Sequence, residues 1–401
     1  MSASIQTVHG TTRLAFDAVE GITNSVEKMH ETIARHPMPW SKPPAAPSRA
    51  HGLIASAVYA TIRATNSTLR GGVDLGFGLL PEAGDSAPGS STEIKMTAAL
   101  NGAFGDHLEV TDNPMATDMG LRTSQQPLTL APDAIAAALP QASPQLVVFV
   151  HGLSLSELSW HGVAGPSLGE QLQSNLDCTT LYLRYNTGRH ISSNGQDLAQ
   201  LLSELCAAWP VPVESLSLVG HSMGGLVIRS ACWYAEQTQS NWLEQLQRVV
   251  CLGTPHHGSP VERLGHALDV LMQKTQYTEP LAFGRQRSAG IKDLRHGNLL
   301  DEDWQGHHPD QPRPDTRQLV PLLPGVDYYF AAATIGRDKS DPVGHVLGDL
   351  LVRLDSAVGT HHDDLRKLHI KPENCAIFHE KHHFDLLSDA KVHQQIVDWF
   401  R

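Results

Sequence analysis

The sequence predicts an α/β fold, a mostly parallel β-sheet with helices on both faces. From Gln145 onward, short apolar runs typical of buried strands alternate with amphipathic segments typical of helices. One run ends next to a serine between glycines, and a helical pattern starts directly after that serine. A long polar connection from Gly258 to Gly325 interrupts the alternation. These observations favour a large sheet domain over 141–401, preceded by a helical region over 1–140.

The region before residue 140 has helical periodicity. Its first apolar residues alternate spacings of four and three, which predicts a helix that ends before Pro37. They are Ala15, Val19, Ile22, Val26, Met29 and Ile33. A proline-rich connector then leads to a second helical run from about Leu53 to Leu69. A third helix around Met96 and Leu100 follows, and then a strand pair around 119–130.

These N-terminal helices have two interpretations. An apolar face flanked by Arg63 and Arg70 can lie in a membrane or lipid interface. Because apolar faces usually pack against protein, we favour a helical layer on the catalytic domain. Peripheral contact with a membrane or lipid surface is the alternative.

Six strands are expected in the second region. They are Leu146–Val150, Thr180–Tyr185, Leu216–Val219, Val249–Leu252, Tyr328–Ala333 and Cys375–Phe378. The segment 258–325 opens with an amphipathic run and becomes rich in Gly, His and Pro. A connection this long inside a compact α/β domain usually has a function, so we interpret it as a cap or lid. A surface insertion without a function is the alternative.

The net charge argues against nucleic acid as a partner. The 401 residues carry 30 Lys plus Arg and 42 Asp plus Glu, and the resulting charge of -12 opposes nucleic-acid binding.

The five cysteines lack paired short spacing, which fits a reducing compartment. No secretory signal or apolar span of membrane length is visible, so we expect a cytoplasmic protein. Most of the 23 histidines are interpreted as solvated surface residues.

The serine between glycines carries the chemistry. Gly220-His221-Ser222-Met223-Gly224 matches G-x-S-x-G between a strand and a helix. A tight turn there needs neighbours without Cβ atoms, and it pushes the Ser222 hydroxyl out at the top of the sheet. The amides at the start of the helix point to where negative charge develops during acyl transfer. Ser222 is therefore the predicted nucleophile.

A serine hydroxyl needs a base, and the base needs an orienting acid. In this topology the acid comes after the nucleophile in the chain and the histidine comes last. His383, just beyond the last strand, is the predicted base, with His382 and His379 as alternatives. The predicted acid is Asp349 in GDLLVRLDSA. The other acid candidates are Asp341, the second choice, followed by Asp338 and Asp355.

The oxyanion needs two backbone donors. One is the amide of the residue after the nucleophile, Met223. The second comes from the loop after the strand Leu146–Val150, which reads His151-Gly152-Leu153. The glycine lets the backbone turn in closely, so the Leu153 amide is the predicted second donor.

Five motifs follow one another in this order: VVFVHGL, LVGHSMGGLVIRSA, VVCLGTPHHGSP, GDLLVRLDSA and HHFDLLS. The chain from about Gln145 to Arg401 thereby resembles the α/β-hydrolase superfamily, in particular bacterial esterases and lipases related to the GPI-inositol deacylases (PGAP1-like). The resemblance implies Ser222, Asp349 and His383 as the triad, with Leu153 and Met223 as oxyanion donors. One departure is Leu350, because relatives often have glycine after the acid.

The expected function is a serine carboxylesterase or lipase that acts on a small-molecule or lipid ester through an acyl-enzyme. An acyltransferase or thioesterase with the same triad is the alternative enzyme. A lipid-surface-binding protein with a vestigial hydrolase fold is the alternative from another class. No cofactor is expected. No metal is expected either, since the histidine doublets lack metal-ligand spacing.

Overall fold

The computed structural model describes residues 5–35, 49–78, 90–161, 165–259, 287–307, 315–338, 341 and 348–401. The chain divides into two compact units. The first comprises 1–89, 111–115 and 277–286, and the second comprises 90–110, 116–276 and 287–401. The division near residue 140 expected from the sequence stays a prediction.

The second unit contains a seven-stranded sheet in the order β1-β3-β2-β4-β5-β6-β7. Its strands are β1 (Gly120–Arg122), β2 (Gln145–Val150), β3 (Thr179–Arg184), β4 (Ser215–His221), β5 (Leu246–Leu252), β6 (Asp327–Thr334) and β7 (Cys375–His379). Only β1 pairs antiparallel, with β3, and every other neighbouring pair is parallel. The mostly parallel sheet and its six predicted strands are confirmed.

The described part of this unit also contains α-helices. They are α3 (Ser91–Val110), α4 (Pro132–Ala138), α5 (Leu168–Asn175), α6 (Ile191–Ala208), α7 (Met223–Gln237), α8 (Ala289–His296), α9 (Asp301–Trp304), α10 (Leu354–Ala357) and α11 (Ala390–Phe400). One core cluster joins α6 and α7 to the first face of the sheet. A second joins α5 and α11 to the other face. The sheet is therefore buried on both sides, as its nearly continuous apolar strands require.

The first unit contains two long helices, α1 (Ile5–Arg35) and α2 (Arg49–Gly78). His9 Nε2 lies 2.6 Å from an Asp74 carboxylate oxygen, and its ring stacks on Phe77 with centroids 4.5 Å apart. The Asn66 amide donates to the Phe16 carbonyl at 2.9 Å. These polar contacts hold the two helices side by side.

Near the start of α1, the buried face of the helix differs from the apolar seam that the sequence predicts. Leu14 is buried, whereas Val19 is 43% exposed. On α2, Leu69 and Leu75 are also exposed. Peripheral contact of these helices with a lipid surface stays a prediction. Among the residues with a described structure, no helix combines the length and apolarity needed to cross a bilayer.

Part of the expected lid lies outside the described residues. Its amphipathic run, with Val261, Leu264, Leu268 and Leu271, falls within 260–286, and a second gap covers 308–314. Helices α8 and α9 lie between these gaps. The proline-rich connector is likewise outside the described residues.

Candidate active site

The Ser222 turn joins β4 to α7 in a strained conformation. Ser222 has φ 53° and ψ −122°, a region that residues with a side chain rarely adopt. Its amide donates to the Leu252 carbonyl at 2.8 Å, which anchors the turn to β5. A Cβ at Gly224 would lie 2.3 Å from the Val150 carbonyl oxygen. Glycine is required there because α7 packs its backbone against the end of β2.

His383 and Asp349 meet in a buried pair. The His383 Nδ1 lies 2.7 Å from Asp349 Oδ2, and both residues are at most 2% exposed. The His383 amide also donates to the Asp349 carbonyl at 3.3 Å. The carboxylate fixes Nδ1 as the protonated nitrogen, which leaves Nε2 free to act as a base.

The acid sits in a turn that holds its carboxylate rigidly. Asp349 Oδ1 accepts the amides of Leu351 at 2.9 Å and Val352 at 2.7 Å. The Asp349 amide donates back to the Val352 carbonyl at 3.2 Å. Leu350, between them, has φ 79°, so the residue that replaces the usual glycine takes the left-handed conformation glycine favours.

The alternative base and acid candidates lie elsewhere. His382 is exposed and His379 is half-buried on β7. Asp355 is exposed and pairs with Arg353 at 3.0 Å, while Asp341 accepts the Arg337 amide at 3.1 Å. The His383 ring pairs with Asp349 instead.

The serine turn and the dyad lie side by side. His221, next to the serine, has its ring centroid 4.7 Å from that of His383, and its Nε2 donates to the His383 carbonyl at 3.3 Å. A Cβ at Gly253 would lie 3.0 Å from His383 Cε1, so the imidazole packs directly on the end of β5. Within the described residues, no hydrogen bond joins the Ser222 hydroxyl to the imidazole. Such bonds are often long before substrate binds.

The two predicted oxyanion donors lie around the serine. Met223 is the first residue of α7, so its amide has no acceptor within the helix. Leu153 follows Gly152, where a Cβ would lie 3.0 Å from Ser222 Cβ. In the described part of the chain, neither amide donates to a backbone acceptor outside helices and strands. Both amides therefore stay the predicted oxyanion donors.

A buried ion cluster holds the loop that carries Leu153. Arg184 donates to Glu157 through Nε at 2.7 Å, and Arg122 lies 3.3 Å from the same carboxylate. Burial alone would raise the pKa of Glu157, but the hydrogen bonds and charges of the two arginines outweigh it and lower the pKa. The cluster ties the loop to β1 and β3, and sequence spacing did not reveal it.

Two histidines that adjoin the serine turn and the Leu153 loop are buried. Burial lowers the pKa of His151 to about 4, and His151 stacks on Tyr185. Burial, and then the nearby His383, lowers the pKa of His221 well below its ordinary range. Both rings are neutral near pH 7. The signal in the sequence was their position directly at the ends of apolar strands.

No group of three metal-binding side chains is present among the described residues.

Residues 141–304 match a family model described as a PGAP1-like alpha/beta domain. The match contains Ser222, Leu153 and Met223, whereas Asp349 and His383 follow it in the chain. Together with the strand order, it identifies the α/β-hydrolase fold expected from the motifs.

Solved structures with similarity to this chain include hydrolases at low identity. The lipase BlEst2 from Bacillus licheniformis, in its mature form, is 20% identical over 64% of this chain and 92% of its own, with a TM-score of 0.40. An esterase from Pyrobaculum calidifontis is 14% identical over 65% and 75%, with a TM-score of 0.39. Phospholipase PlaB from Legionella pneumophila is 19% identical over 53% and 45%, with a TM-score of 0.34. No curated protein matches the sequence.

Proposed function

We propose that this protein is a serine carboxylesterase or lipase that works through an acyl-enzyme. The observation that carries the proposal is the buried His383–Asp349 pair, with 2.7 Å between Nδ1 and Oδ2, beside a strained serine turn. A buried imidazole that is oriented by a carboxylate and lies next to a serine in a strained turn is the arrangement that nucleophilic acyl transfer needs.

In the acylation step, Ser222 Oγ attacks the ester carbonyl carbon while His383 Nε2 takes its proton. The negative charge that forms on the carbonyl oxygen is held by the Leu153 and Met223 amides. Asp349 stabilises the imidazolium without itself becoming protonated. Collapse of the intermediate breaks the bond to the alcohol oxygen, which receives the proton from His383.

In the deacylation step, His383 takes a proton from water, and the hydroxide oxygen attacks the acyl carbon on Ser222. The second tetrahedral oxyanion is bound by the same two amides. Its collapse releases the carboxylic acid and returns the proton to Ser222 Oγ. The neutral state of His151 and His221 keeps competing positive charge away from the imidazole.

Apolar side chains around the dyad favour an ester with an apolar part. Leu350, next to the acid, is 44% exposed, and Phe384, next to the base, is 38% exposed. The Phe384 ring meets His383 edge-on, with centroids 5.5 Å apart. Exposed apolar groups beside a reacting centre are a common way to bind acyl or alkyl chains.

Replacing the nucleophile tests the proposal. We expect Ser222→Ala to abolish hydrolysis of a p-nitrophenyl ester, because no other hydroxyl occupies the turn. Ser388→Ala, at an exposed serine shortly after the base, is the matched control and should keep the wild-type rate. Unchanged hydrolysis by Ser222→Ala would refute the assignment, and acyl product on an added alcohol would point to the transferase alternative.

A further inference from the structure

A cavity of about 550 Å³ lies away from the proposed triad. Arg229 and His256 line it, together with segments 317–322 and 364–369. Arg229 follows Ser222 by seven residues along α7, which places it about 10 Å further along the helix axis. None of the triad residues lines this cavity.

The cavity is lined by the buried guanidinium of Arg229, which has no carboxylate partner in the segments that the structure describes. Arg229 is 6% exposed, and its Nη2 donates to the Val320 carbonyl at 2.7 Å. Its Nη1 lies 3.4 Å from His256 Nδ1, and its Nε has no hydrogen-bond partner within the described part of the chain. Among the residues described, no carboxylate lies within ion-pair distance of it. A buried charge without a counter-charge is costly, so its presence beside a cavity calls for an explanation.

Arg229 keeps its charge despite burial. Desolvation lowers its pKa only to about 10, so the guanidinium is protonated at neutral pH. His256 stacks on Phe330 with centroids 4.3 Å apart, and burial lowers its pKa well below the ordinary range. The neutral ring accepts from Arg229 and does not supply the missing negative charge.

Most other charges around the cavity are compensated within the chain. Arg317 pairs with Asp315, and Lys367 pairs with Asp364. Asp303 uses its carboxylate on the amides of Leu299, Leu300 and Gln318. Arg366 shares Asp315 with Arg317. Arg366 also lies 3.8 Å from an Asp363 carboxylate oxygen. Among the described cations of the cavity wall, Arg229 is thus the one without a carboxylate partner.

The outer wall of the same cavity is apolar. Leu365 is 77% exposed and Leu319 is 45% exposed. Val320, Leu322 and Leu368 continue the apolar wall inward. A buried cation inside and exposed leucines outside fit a ligand with one anionic end and an apolar tail.

We propose that this cavity binds a medium-chain fatty-acid anion, with its carboxylate against the Arg229 side of the cavity and its chain along Leu319 and Leu365. The carboxylate supplies the counter-charge that Arg229 lacks among the described residues. The apolar tail covers the two exposed leucines. The site is separate from Ser222 and does not depend on the proposed esterase activity.

Isothermal titration of the full-length protein with three probes tests the ligand chemistry. Decanoate is expected to bind, and decanol, with the same chain but no charge, is expected to bind at least tenfold more weakly. Acetate, with the charge but no chain, should also bind at least tenfold more weakly. Equal binding of decanol, equal binding of acetate, or no binding of decanoate below its critical micelle concentration would overturn the proposal.

Substitutions locate the site. Arg229→Met removes the charge at similar length and should weaken decanoate binding by about tenfold or more. Leu365→Asp adds a negative charge at the outer wall of the cavity and should also weaken decanoate binding. Because Leu365 is exposed, this substitution should leave the fold unchanged. Val110→Asp makes the same charge change at an 84% exposed residue outside the cavity and should bind as the wild type does.

The outcomes separate this site from the catalytic one. If decanoate were binding as a product at Ser222, Leu365→Asp and Val110→Asp would bind it equally, which would overturn the proposal. If the protein hydrolyses no ester yet loses decanoate binding on Leu365→Asp, the proposed function fails and the fatty-acid site stands. Should Arg229→Met fail to fold, the Leu365 comparison alone decides.

Discussion

The two oxygens of Asp349 have different partners. Oδ1 holds the turn through the Leu351 and Val352 amides, and Oδ2 faces the imidazole of His383. One side chain therefore serves both local structure and the proposed chemistry. A carboxamide at this position would retain the first role and lose the second.

We predict that Asp349→Asn lowers kcat by about 10³- to 10⁴-fold with little change in the fold. The Asn oxygen can still accept the turn amides, but its NH₂ group would favour the wrong histidine tautomer. Steady-state kinetics with a p-nitrophenyl ester measure the loss, and circular dichroism checks the fold. Asp355→Asn, at an exposed carboxylate, is the control with an unchanged rate. A normal rate in Asp349→Asn would remove Asp349 from the mechanism.

Leu350 carries strain that can be measured. Its φ of 79° costs a residue with a Cβ about 1–2 kcal/mol, and glycine avoids this cost while losing about 0.5–1 kcal/mol of chain entropy. We predict that Leu350→Gly has a free energy of unfolding about 1 kcal/mol higher than Leu350→Ala. Both variants lack the exposed leucine atoms beyond Cβ. The difference between their free energies of unfolding in urea therefore reports the cost of the backbone conformation. Equal stability of the two would show that the turn is unstrained.

Helix α7 depends on close backbone contact with the sheet. Gly224 lies against the Val150 carbonyl oxygen, and a Cβ at Gly225 would lie 2.1 Å from Thr254 Oγ1. This contact places the Met223 amide and Ser222 at the carboxyl ends of β2, β4 and β5. Side-chain packing alone would keep the helix further from the sheet.

We predict that Gly224→Ala destabilises the fold by about 3 kcal/mol, because the methyl group meets backbone that cannot move aside. Chemical denaturation measures the change. Gly120→Ala in β1 is the control, since a Cβ there has no atom within 4 Å, and its stability should stay close to wild type. A small effect of Gly224→Ala would mean that α7 can shift outward without cost.

Much of the second unit could be predicted from local pattern. Apolar runs such as Leu146–Val150 and Leu216–Val219 indicated strands that the structure extends by a few residues at most. Chain order after Ser222 then predicted that an acid and a histidine from later strands would meet. Asp349 and His383 meet at 2.7 Å because parallel strands bring their carboxyl ends to one edge.

Contacts between distant segments could not be predicted in this way. Glu157, Arg184 and Arg122 look like ordinary surface residues in sequence, and only folding brings them together in a buried cluster. Burial of His151 and His221 likewise depends on neighbours far along the chain. Helix α3 likewise shares a compact unit with the sheet, which its own periodicity does not reveal. The hydrophobic periodicity of a helix shows which of its faces is apolar, but not which segment packs against that face.

At the scale of the whole molecule, one claim matters most: a single serine among the many in this chain is the nucleophile. Reaction with a fluorophosphonate, followed by intact mass and peptide mapping, tests it most directly. We predict one adduct per chain, on the peptide with Ser222, that forms much more slowly in Asp349→Asn and is absent in Ser222→Ala. An adduct on a different residue, or ester hydrolysis by a protein that the reagent leaves unmodified, would contradict the account.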